Sequence, residues 1–115
     1  MYDPGIPVAV ELRFDSPQVV TYHLWFALVG GPWQKFATGT DEDVTTLTGH
    51  RHIVGPFPAG IRIGYLVLFV GNPSTAFRGQ LVITQNGSPL DGGQIAFQGQ
   101  TNGDGAAVAR GEVTL

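Results

Sequence analysis

The sequence predicts an all-β fold, an antiparallel sandwich of about seven or eight short strands, with a small β-barrel as the alternative closure. Three observations carry this expectation. Apolar residues recur at every second position along most of the chain, the spacing of a strand with one buried face. Helical spacing is nearly absent. The 17 glycines and 8 prolines fall largely between the alternating runs, where chain reversals need them. The pattern suits immunoglobulin-like and jelly-roll Greek keys alike.

Residues 8–14 open the series, with Val8, Val10, Leu12 and Phe14 alternating with Ala9, Glu11 and Arg13. Asp15-Ser16-Pro17 is a turn signal. Residues 18–29 form a longer strand whose Val20, Tyr22, Leu24, Phe26 and Leu28 are expected to face the core. Its other face, Val19, Thr21, His23, Trp25, Ala27 and Val29, is scarcely polar. Gly30-Gly31-Pro32 ends it, a short strand follows over 33–37, and Thr38-Gly39-Thr40 closes that one. Residues 40–47 carry the weakest strand signal; Thr40 or Asp41 could cap one helical turn there, and a plain acidic loop fits as well.

Residues 50–54 read as a short strand, followed by a connection containing Pro56 and Pro58. The strongest strand is 61–70, with Ile61, Ile63, Tyr65, Val67 and Phe69 on one face and Arg62, Gly64, Leu66, Leu68 and Val70 on the other. Strand 78–85 follows, and Asn86-Gly87 is a hairpin signal, with the loop expected to run on to Gly93. Strand 94–98 sets Ile95 and Phe97 on one face. Asn102-Gly103-Asp104-Gly105 is a further turn. In the last strand, 106–115, Val108 is out of phase with Val113 and Leu115, which predicts a bulge near Arg110-Gly111.

The 115 residues suffice for one domain, 1–115, with a core that needs no staple. Cysteine is absent, which excludes disulfides, thiolate metal sites and a cysteine nucleophile. No signal peptide and no apolar run of membrane-spanning length is present, so a cytoplasmic location or a leaderless export route is expected. Charged residues make up only 13% of the chain and the net charge is −3. With one lysine and scattered arginines there is no basic stripe for nucleic acid.

Motifs for catalysis are lacking: no phosphate loop, no nucleophile elbow and no cofactor fingerprint. The expectation is a non-catalytic protein without a cofactor. Gln100 and Gly111 stand where a calcium loop over 100–111 needs carboxylates, so 101–105 reads as a hairpin turn. Three features remain as candidate sites. His50 and His52 share one face of a strand and could ligate one metal ion, with His23, Asp41 or Asp43 as a third ligand. His23, Trp25 and Trp33 combine flat apolar rings with polar donors, the chemistry that holds a sugar ring or other small ligand. Strands 18–29 and 61–70 are apolar on both faces, so Trp25, Ala27, Val29, Leu66, Leu68 and Val70 should form an outer patch covered by the chain's own loops or by another molecule. Association through that patch, as a homo-oligomer or with a protein partner, is the leading expectation; a carbohydrate or small-ligand module comes second and a metal site third.

Overall fold

A computed structural model describes residues 2–15, 19–41 and 48–115. The chain is a β-sandwich of two antiparallel sheets, with no closed barrel. Its strands are β1 (Val8–Asp15), β2 (Val19–Ala27), β3 (Gln34–Asp41), β4 (Thr48–Val54), β5 (Arg62–Val70), β6 (Ala76–Gln85), β7 (Ser88–Gln100) and β8 (Ala106–Thr114). One sheet has the order β4-β1-β6-β7 and the other β3-β2-β5-β8. Among the described residues no helix is long and apolar enough to cross a membrane.

The two inner faces follow from the alternation. Val8, Val10, Leu12, Leu81 and Ile83 come from the first sheet, and Tyr22, Leu24, Ile63, Tyr65, Val67 and Phe69 from the second; all are buried. Phe69 stacks on Phe77 with ring centroids 4.1 Å apart, and Tyr65 stacks on Phe97 at 5.5 Å. Opposite these large rings β8 presents small residues: Phe69 pairs with Ala107, Val67 with Ala109 and Tyr65 with Gly111. A Cβ on Gly111 would stand 2.8 Å from Tyr65 Oη, so the glycine makes room for the phenol. Gln85, only 6% exposed, is fully used: its carboxamide accepts from Asp3 N and donates to the carbonyls of Asp3 and Ile6.

Several expected details change. The bulge at Arg110-Gly111 is absent, because β8 pairs with β5 without a register shift and Val108 sits on the outer face, 59% exposed. Residues 38–40 continue β3 instead of ending it. Asn86 and Gly87, at φ 51° and 80°, close a tight turn, so β7 begins at once at Ser88. An irregularity follows, since Pro89 pairs with Thr84 and Gln94 already with Val82. It folds Leu90 back to 7% exposure, and Pro89 is tolerated because β7 is an edge strand. Leu28, expected inside, lies beyond the end of β2 and is 38% exposed. Most of the 40–47 stretch, with Asp43, lies outside the described residues.

Candidate functional site

The outer faces of the two sheets differ in chemistry. On the first, Arg51, Glu11, Val82 and Gln94 form one row, and Arg13 with Gln80 another. Arg13 Nε donates to Glu11 on this face. On the second, the register aligns Thr21, Leu68 and Val108; then His23, Leu66 and Arg110; then Trp25, Gly64 and Glu112. This second face is apolar and aromatic at its centre, with Lys35, Arg62, Arg110 and Glu112 as charged side chains around it.

The backbone sets how Trp25 is presented. Leu24 pairs with Ala37 but Trp25 with Lys35, so Phe36 is an extra residue in β3. A bulge twists the edge and re-aims neighbouring side chains. Lys35 Nζ lies 5.6 Å from the Trp25 ring centre, and the His23 ring is 5.7 Å away on the same face. Thr38 donates its only hydroxyl hydrogen to the Tyr22 carbonyl, 3.0 Å away, and therefore accepts from His23 Nδ1 at 2.9 Å. That leaves His23 Nε2 as an acceptor.

Trp33 reaches the face from the connection after β2. Its ring lies on Gly64, where a Cβ would approach to 3.1 Å, and the Arg62 guanidinium stacks on it at 4.8 Å. A glycine inside a strand weakens the strand and marks a close approach, here that of the indole. A hollow of about 630 Å³ results, lined by Trp25, Trp33, Leu66, Arg110 and Glu112 over Gly64.

The expected site residues separate into groups. Trp25, Leu66, Leu68 and Val70 do share the outer face, with Val70 57% exposed. Ala27 does not belong to an exposed patch: it is fully buried, at the end of the sheet where its pairing partner Arg62 stacks on Trp33. Val29, 74% exposed, has left the strand and leans on Gly60, where a Cβ would meet its Cγ2 at 2.7 Å. His23 is on the outer face and cannot join the other histidines as a ligand. Arg110, Glu112 and Gly64 were not anticipated. The expected bulge obscured the first two, although the small residues Ala107, Ala109 and Gly111 mark the inner phase of β8.

His50 and His52 face inward from β4 toward Tyr22 of the opposite sheet. Tyr22 Oη is 2.8 Å from His52 Nε2, and the Tyr22 ring centre is 5.0 Å from that of His50. Burial raises the Tyr22 phenol above its ordinary value, so the hydroxyl keeps its proton beside His52 Nε2. Burial, and then the neighbouring His50, lower His52 below the ordinary 6.5. An unfolded chain therefore takes up this proton first as pH falls. The contribution of neutral His52 to stability is complete above 6.5 and shrinks as pH drops toward the lowered folded value. Denaturant unfolding should show stability falling as pH drops through and below 6.5, with a shallower fall in His52→Gln. Equal slopes in both proteins would refute this.

Among the described residues no three His, Asp or Glu side chains come together. Comparisons with protein-family models, curated protein sequences and solved structures find no match to the chain.

Proposed function

We propose that the protein is a non-catalytic binding module that works through the outer face of the β3-β2-β5-β8 sheet, and that its hollow takes a saccharide. The observation behind this reading is the meeting of two indoles over one hollow, with a cation and an anion side by side at its rim. A sugar ring offers an apolar C–H face and a belt of hydroxyls, each both donor and acceptor. Indole rings match the first. Arg110, which only donates, and Glu112, which only accepts, match the second.

Tryptophan fluorescence and calorimetry against a panel of soluble oligosaccharides test the reading. A saturable signal is expected for a subset, weakened about tenfold or more by Trp25→Ala or Trp33→Ala, which corresponds to about 1.4 kcal/mol of binding. Absence of any saturable signal across the panel would overturn it.

A second reading, self-association or docking of a protein partner, draws on a different observation. Val70 and Val108, 57% and 59% exposed, extend the same face past half-buried Leu68. Sedimentation separates the two readings. A dimer at micromolar concentration that Leu68→Glu dissociates favours association, and a monomer removes self-association.

A further inference from the structure

The edge strand β4 departs from the usual polarity at Ile53 and at its two histidines. Ile53 points to water, 67% exposed, whereas His50 and His52 are turned into the seam between the sheets. Such a local conflict with the fold is expected where a site is built. Tyr22 meets both rings from the other sheet, with centroids at 5.0 and 5.7 Å and its hydroxyl on His52 Nε2. Gly39 leaves room for this phenol, because a Cβ there would stand 2.7 Å from Tyr22 Oη.

We propose that His50, His52 and Tyr22 form a site for a late first-row divalent ion, zinc or copper, that ties β4 to β2. Imidazole nitrogens are preferred ligands of these ions, and residues i and i+2 of a strand offer two on one face. Ligand distances of about 2.0–2.1 Å at a tetrahedral angle put two donor atoms about 3.3 Å apart. The 2.8 Å Tyr22–His52 contact needs to open by only about half an ångström to admit the ion. The ion takes the place of the shared hydrogen: the Tyr22 O–H bond breaks, its proton passes to solvent, and the oxygen bonds the metal. Water completes the coordination. Because a proton is released, affinity falls in acid.

The test uses untagged protein titrated with zinc chloride and, separately, copper(II) chloride. Calorimetry gives stoichiometry and affinity, and NMR follows the ring protons of the three histidines. One ion per chain is expected. Zinc should shift the His50 and His52 resonances and leave His23, on the opposite face of its sheet, as an internal control. His50→Gln, His52→Gln and Tyr22→Phe should each weaken binding about tenfold or more. An unchanged His23 signal verifies that each variant keeps its fold. Failure to bind either ion, shifts at His23 alone, or affinity that survives these substitutions would overturn the site. The saccharide titration reports on the other face of the second sheet, so either proposal can fail alone.

Discussion

Truncating Phe69 to alanine is expected to destabilise the fold by about 3–5 kcal/mol, the range for an aromatic ring lost from a closed core. Phe69 is fully buried at the centre of the aromatic cluster, stacked on Phe77 at 4.1 Å and tilted against Phe97 at 6.5 Å. Its register partners are Val20 and Ala107, so the β8 side offers only a methyl group to collapse into the vacated space. The cavity should stay largely open, which puts the cost toward the upper part of the range. Denaturant unfolding measures it against Val108→Ala, a truncation on the outer face of the same sheet that should cost under about 0.5 kcal/mol. A loss below about 1.5 kcal/mol for Phe69→Ala would mean that the cluster closes around the gap.

The position of Phe69 in the core was legible from the sequence, because Ile63, Tyr65, Val67 and Phe69 alternate with a face that contains Gly64. Alternation sets phase, and in β5 phase sufficed to name Ile63, Tyr65, Val67 and Phe69 as buried, whereas in β2 it named Tyr22 and Leu24 but set buried Ala27 on the outer face. It does not decide β4 or β8. In β4, Ile53 and Val54 occupy opposite phases, and nothing local says that the histidines accompany Val54 inward. In β8 the inner face is lined with alanines and a glycine, so exposed Val108 carried the stronger local signal and suggested a bulge that is absent. The inner face there is decided by Tyr65 and Phe69 of the neighbouring strand.

The candidate hollow was half legible for a related reason. Trp25 and His23 lie two apart on one strand, so local spacing alone unites them. Trp33 arrives through a chain reversal, and Arg110 and Glu112 through a pairing between segments distant in sequence. The sign that such a meeting was required is Gly64, a glycine inside the strongest strand, whose missing Cβ admits an indole.

Gly105→Ala should cost about 3–5 kcal/mol, although the change adds a single methyl group. Two penalties combine. Gly105 holds φ 78°, a left-handed conformation that costs an L side chain about 1–2 kcal/mol. Its Cβ would fall 1.9 Å from the Gly71 carbonyl oxygen, and this neighbour is backbone that cannot swing aside. The carbonyl is held by its surroundings. Gly71 N donates to Gly105 O at 2.7 Å, Thr101 Oγ1 donates to Asn72 O at 2.6 Å, and Thr101 N donates to Thr75 O at 3.0 Å. On the facing turn, the Asn102 side chain accepts from the Asp104 and Ala106 amides. Moving the carbonyl strains this whole junction of two loops. Gly87→Ala is the control: φ is 80° there too, but the added methyl meets open space, so only the conformational cost remains. The difference between the two variants isolates the collision and should exceed about 1 kcal/mol. Equal losses would show that the junction yields freely. The same junction ends the β5–β8 ladder at Val70 and Ala106, so a shift there propagates along β8 to Arg110 and Glu112. Gly105→Ala should therefore also weaken saccharide binding in the fraction that remains folded, whereas Gly87→Ala, in the opposite sheet, should not.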